Sequence, residues 1–95
     1  MRVLELVMTG SAQQVFVPNA QAPMATPYVT MMIVQPATAA ATIGDNTVTA
    51  TKGIVIPAAT AQQFNFHTVR GSALSQYWII GTASDKVEIL YETSQ

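Results

Sequence analysis

Turn-forming residues interrupt this chain so often that no segment is left long enough, or suitably patterned, for a stable helix. Short β-branched and aromatic runs alternate with Gly, Pro and Asn/Asp, which is the pattern of a β-protein. The runs cover Val3–Met8, Gln14–Val17, Tyr28–Val34, Thr47–Thr51, Ile54–Ile56, Gln63–Val69, Leu74–Ile80 and Lys86–Glu92. They are stopped by Gly10-Ser11, Pro18-Asn19, Pro36, Gly44-Asp45-Asn46, Gly53, Pro57, Arg70-Gly71-Ser72 and Gly81–Asp85. With no sustained 3.6-residue period, the expectation is a single all-β domain over residues 1–95. It should be a small antiparallel β-sandwich or jelly roll of about eight short strands with extended loops.

The faces of individual runs can be read by alternation. In Lys86–Glu92, Val87, Ile89 and Tyr91 share an apolar face opposite Lys86, Glu88 and Glu92. In Leu74–Ile80, alternation groups Leu74, Trp78 and Ile80, with Tyr77 opposite, and Gly81–Asp85 has the length and chemistry of a hairpin loop. Phe64 and Phe66 alternate as buried residues. A C-terminal meander is expected to form the folding core. Tyr28–Val34 is apolar on both faces, with Tyr28, Met32 and Val34 on one and Val29, Met31 and Ile33 on the other. Such a strand is either central or meets another subunit.

Two segments depart from this pattern. Residues 18–27 are Pro/Ala-rich and should run extended. Residues 35–44 begin with an uncharged Ala/Thr loop, in which Ala39–Ala41 could also close a helical turn. Both are long for a small β-domain and are candidate contact segments.

Only 9% of the 95 residues are charged and 49% are hydrophobic, against about 25% charged in ordinary soluble domains. A chain this short buries roughly 60–65% of its unfolded surface, and it has no cysteine with which to form a disulfide. Association with other subunits is therefore the expected source of extra stability, and a surface of few charges costs little to desolvate. Net charge is −1 and the cations Arg2, Lys52, Arg70 and Lys86 are scattered, so nucleic acid is not an expected partner. Neither is a membrane. No apolar run approaches the ~20 residues of a spanning helix, and Met1–Met8, broken by Glu5, reads as a strand rather than a signal peptide.

Catalytic arrangements are not visible. His67 is the only histidine and lies on the polar side of its run, as a surface residue would. Asp45-Asn46-Thr47 and Ser84-Asp85 could offer oxygens to calcium, but that ion takes about six to eight ligands. Both places are turns, where Asp and Asn bond their own backbone. Glu88 and Glu92 share an exposed face without forming a hydrolase pair, and Gly81–Ser84 lacks the lysine of a phosphate loop. The expectation is no enzyme, no cofactor and no metal.

Gly53-Ile54-Val55-Ile56-Pro57, Phe64-Asn65-Phe66 and Leu74 through Tyr91 resemble the closing strands of small structural proteins of tailed-phage virions. There, a strand ending in Gly-Thr-Ala is followed by Asp and a Val-x-Ile/Val-Leu-Tyr strand; here these are Gly81-Thr82-Ala83, Asp85 and Val87–Tyr91. The resemblance covers residues 53–92. It implies a non-enzymatic subunit carried in many copies on the capsid exterior, a decoration (cement) protein bridging major capsid protein subunits as a dimer or trimer. Neck, tail or fibre attachment carries the same composition. The contact residues expected on this reading are Pro23, Met24, Tyr28, Met31, Ile33, Pro36 and Ala39. The alternative is a carbohydrate- or host-receptor-binding module using Tyr28, His67 and Tyr77.

Overall fold

The fold was obtained as a computed structural model, which describes residues 2–16, 28–66 and 72–93. Nine strands occur among these residues: β1 (Arg2–Val7), β2 (Gln13–Gln14), β3 (Tyr28–Pro36), β4 (Ala41–Gly44), β5 (Ile54–Ile56), β6 (Gln62–Asn65), β7 (Ser72–Ala73), β8 (Trp78–Gly81) and β9 (Lys86–Thr93). A 3₁₀ turn, Leu74–Gln76, precedes β8. The larger sheet has the order β1-β9-β3-β6, with β7 also pairing β3; the smaller has the order β2-β8-β4-β5.

All pairs are antiparallel. With the short β7 set aside, the first strand pairs the last, the second the next to last, β3 pairs β6, and β4 pairs β5. One long antiparallel ribbon rolled into two layers gives this order. It is a jelly-roll sandwich.

The layers are held by side chains from both inner faces. Met32, Val34, Val87 and Ile89 of the larger sheet meet Ala41, Ile43, Ile56 and Ile79 of the smaller, joined by Met8, Val15, Val29, Leu74 and Tyr91. Val87, Ile89 and Tyr91 face inward, as alternation predicts.

Several local expectations are corrected. Gly81–Asp85 is not a hairpin loop: β8 and β9 belong to different sheets, so this segment carries the chain from one layer to the other. The 3₁₀ turn, closed by a hydrogen bond from Tyr77 N–H to Leu74 C=O, shifts the phase of the following strand. Leu74 and Ile79 are fully buried, while Trp78 and Ile80 fall on the other face and are half-buried. In β3, an irregularity between Val29 and Met31 moves Val29 onto the inner face with Met32 and Val34. That leaves Tyr28, Met31 and Ile33 together outside.

Thr47–Thr51 forms no strand, only turns and one bridge between Thr49 and Lys52. Side chains here capture the backbone. Thr47 donates its N–H (2.9 Å) and hydroxyl (2.6 Å) to the Asp45 carboxylate, and the Thr49 hydroxyl oxygen accepts from the N–H groups of Thr51 and Lys52. Such local bonds compete with sheet ladders. Conversely Ala41–Gly44, read as the end of a loop or part of a helical turn, is a strand flanked by β8 and β5. Its weak intrinsic preference is overridden by two neighbours and burial. Residues 67–69 of the expected Gln63–Val69 run lie outside the described residues; Phe64 and Phe66 are half-buried rather than buried.

The segment 45–53 folds over the outer face of the smaller sheet. The Thr42 hydroxyl donates to Ala50 C=O at 3.1 Å, and Val48 is buried there. Gly53 makes this possible: at φ 136° a Cβ would sit 2.7 Å from Ile43 O and 2.9 Å from Thr42 Cγ2. Gly53→Ala is therefore expected to destabilise by more than about 1 kcal/mol, since the native φ is incompatible with a side chain. Ile79→Ala, which empties a fully buried site, should cost about 2–5 kcal/mol. Denaturant titration of both variants measures these losses.

Candidate functional site

Jelly-roll topology makes most connections cross between layers, and three of them meet at one end of the sandwich around Asp85. Its backbone C=O accepts Met8 N–H at 2.8 Å, and Ser84 N–H donates to Met8 C=O at 2.8 Å. The carboxylate reaches the β3–β4 connection. Thr38 donates its hydroxyl to Oδ1 at 2.6 Å and its N–H at 3.2 Å, and Ala39 donates its N–H to Oδ2 at 2.9 Å. Next to it, Ala37 N–H donates to Lys86 C=O at 2.9 Å.

The hydrogen bond from the Thr38 hydroxyl does most to hold the Asp85 carboxyl below the usual carboxylate range. Partial desolvation opposes this, and the Ala39, Thr38 and Lys86 backbone N–H groups support it. The carboxylate thus serves as a structural clasp, with its acceptor sites turned to the protein's own donors. Among the described residues, Asp85 and Thr42 are the buried polar side chains, and no buried polar side-chain atom lacks a hydrogen-bond partner. Such satisfaction is what makes a buried polar group tolerable.

The two outer faces of the sandwich differ. Segment 45–53 covers part of the smaller sheet's face, whereas no described strand lies over the larger one. Cross-strand register sets its rows: Val3–Leu90–Ile33–Gln63, then Glu5–Glu88–Gln35, with Met31, Glu92 and Asn65 beyond the first. Val3 is 66% exposed and Tyr28 50%, while Ile33, Leu90 and Met31 are half-buried by their neighbours. An apolar row thus crosses the sheet beside a row in which two carboxylates face each other. Contiguous exposed apolar surface rimmed by polar groups marks interaction sites.

Of the expected contact residues, the structure brings Tyr28, Met31 and Ile33 onto this face. Ala39 is half-buried in the Asp85 clasp. Pro36 is corrected: it is fully buried at the end of β3 and offers no surface to a partner. Its missing N–H falls past the end of β6, and its C=O accepts Ala59 N–H at 2.9 Å. Pro23 and Met24 lie outside the described residues, as does the whole of the expected segment 18–27. Val3 and Leu90 were missed. The signal for them was present in alternation, but cross-strand register with Ile33 is not local to any one segment.

The alternative ligand residues do not converge. Tyr28 is on the outer face, whereas Tyr77 packs into the molecule, its ring 5.4 Å from that of Phe66 at 30°; His67 lies outside the described residues. Tyr77 instead lines an apolar cleft of about 340 Å³ between the sheets, with Met32, Ile43, Ile54, Phe64 and Phe66. Among the described residues, no group of three or more His, Cys, Asp or Glu is placed to hold a metal ion. No helix among them is long and apolar enough to cross a membrane.

Comparison with known proteins finds no matching family, no curated relative and no matching solved structure.

The clasp generates a pH prediction. Because the folded state holds Asp85 below its ordinary value of about 3.9, its contribution is fully present above that pH. It is lost as pH falls through the lower, folded-state value. Wild-type stability should therefore decline as the solution is acidified below about pH 4. Asp85→Asn should be less stable at neutral pH and show a flatter acid limb. Thermal melts across pH check both.

Proposed function

We propose that this chain is a non-catalytic structural subunit of a virion, of the decoration type. In this reading it binds neighbouring capsid subunits through the outer face of its larger sheet. The observation that carries the reading is the outward-facing row Val3–Leu90–Ile33, flanked by Met31 and Tyr28 and overlain by no described segment, on a protein with few charges to desolvate. The resemblance of residues 53–92 to virion structural proteins supports it, and jelly rolls serve in viral capsids as well as in lectins.

The mechanism is burial of weakly polar and apolar area on a rigid sheet. Each contact is modest alone, and symmetric copies acting together raise the total affinity by avidity. The chain would sit on the capsid exterior, as a homo-oligomer beside major capsid protein. A neck or tail adaptor would use the same face with a different neighbour. For a carbohydrate- or receptor-binding module, Tyr28 and Tyr77 would have to act from separate surfaces.

Reconstitution tests this. Purified protein added to particles stripped of it should restore occupancy and raise their heat stability. Ile33→Lys, which puts a charge in the middle of the apolar row, should weaken binding by about tenfold or more, as loss of an interface anchor does. Folded wild-type protein that leaves the particles bare would overturn the decoration role. Glycan binding that Tyr28→Ala abolishes without unfolding would favour the alternative.

A further inference from the structure

Edge strands present a row of unpartnered backbone N–H and C=O groups, and proteins that remain monomeric guard them with charge, proline, bulges or brevity. The edge strands here are unequal. β2 has two residues, β5 three and β6 four, whereas β1 has six and contains no proline and no bulge in its register with β9.

The ladder identifies which backbone groups point away from the sheet. Met8 N–H donates to Asp85 C=O, and inward and outward pairing alternates along an antiparallel strand. Leu6, Leu4 and Arg2 therefore direct their backbone groups toward β9, and Val3, Glu5 and Val7 direct theirs away from the sheet. The Val7 C=O agrees with this assignment, since it accepts from Gln13 Nε2 at 3.3 Å rather than from β9. Val3 and Val7 are exposed. Leu4 and Leu6 are half-buried and pack against the core between the sheets.

Residues 3–7 read Val-Leu-Glu-Leu-Val, the same in both directions. An antiparallel pairing of two such strands about a two-fold axis at Glu5 matches every position with its own kind. Val3 meets Val7 of the other copy, Leu4 meets Leu6, and Glu5 meets Glu5. The outward backbone groups of residues 3, 5 and 7 fall into register as the hydrogen-bonded pairs, with the Val7 C=O accepting on the lone pair that Gln13 Nε2 leaves open.

We infer that the occupant of this edge is a second copy of the chain, joined β1 to β1 so that the larger sheets form one continuous sheet. The self-matching edge gives the isologous contact that two-fold symmetry requires. Glu5 limits its strength. The two Glu5 carboxylates face each other at the axis, and each already faces Glu88 across the β1–β9 pair, with Lys86 the nearby cation on that face. The interface tolerates this repulsion rather than depending on it. Pairing needs no capsid, so it stands or falls separately from the decoration role.

Sedimentation equilibrium of the full chain over a range of concentrations provides the test. Wild type should form a dimer. Glu5→Gln should tighten it by about two- to fivefold, the scale of one like-charged cross-strand pair. Glu5→Pro removes an outward N–H without touching the β1–β9 ladder and should give a folded monomer. Val3→Lys, which keeps the backbone intact, should also dissociate it.

Because the chain has no cysteine, register can be read by cross-linking. A mixture of Leu4→Cys and Leu6→Cys chains should form the mixed disulfide, since non-hydrogen-bonded antiparallel partners lie about 4.5 Å apart at Cα. A wild type that is monomeric at every concentration overturns the inference. So does a dimer indifferent to both Glu5→Pro and Val3→Lys, or cross-linking of Leu4→Cys alone without the mixed pair.

Discussion

The hydrogen bonds that converge on Asp85 are what the remaining architecture depends on. A jelly roll sends its chain repeatedly from one sheet to the other, so its stability rests on how the crossings are tied at the ends. Asp85 ties three of them. Its backbone carbonyl receives Met8 at the end of β1, its carboxylate receives Thr38 and Ala39 between β3 and β4, and the residue itself immediately precedes β9. With these crossings joined, β9 enters at a fixed height, and the register of β1 and β3 on either side follows from it.

From that register comes the asymmetry of the surface. The smaller sheet is shielded in part by segment 45–53, held by Thr42, Val48 and the steric allowance at Gly53. No described segment lies over the outer face of the larger sheet, and there Val3, Leu90 and Ile33 align across three strands. Charges are few in the chain as a whole, but Glu5, Lys86, Glu88 and Glu92 share this face, so the apolar row is bordered by charge rather than free of it. At the opposite side of the sandwich, β5 and β6 leave a cleft lined by Phe64, Phe66 and Tyr77. The outer apolar row and the aromatic cleft are thus separate regions, and Tyr28 and Tyr77 do not share one surface.

Legibility in the sequence followed the range of the forces involved. Alternation in Lys86–Glu92 correctly placed Val87, Ile89 and Tyr91 inside, because a side-chain period of two is a property of the strand alone. The same rule misplaced Trp78 and Val29. A 3₁₀ turn at Leu74–Gln76 and an irregularity before Met31 each displaced the phase, and neither has a marker in its residue types. Thr47–Thr51 had strand composition but was diverted by Asp45 and Thr49, whose side chains bond the nearby backbone. Of the residues that share the outer face of the larger sheet, Tyr28, Met31 and Ile33 stood out by the apolar character of their run, while Val3 and Leu90 required knowledge of which strands lie side by side.

Periodicity and punctuation determined that this chain would be an antiparallel β-sandwich. These are local quantities, set by backbone stereochemistry and by the solvation of each side chain. Tertiary structure decided which sheet each strand joined, so that Gly81–Asp85 became a crossing rather than a hairpin. It turned Asp85 from a turn residue into a clasp, buried Pro36, and left β1 with a self-matching edge. Those outcomes depend on pairings between residues far apart in the chain, and no single segment contains the energy that selects them.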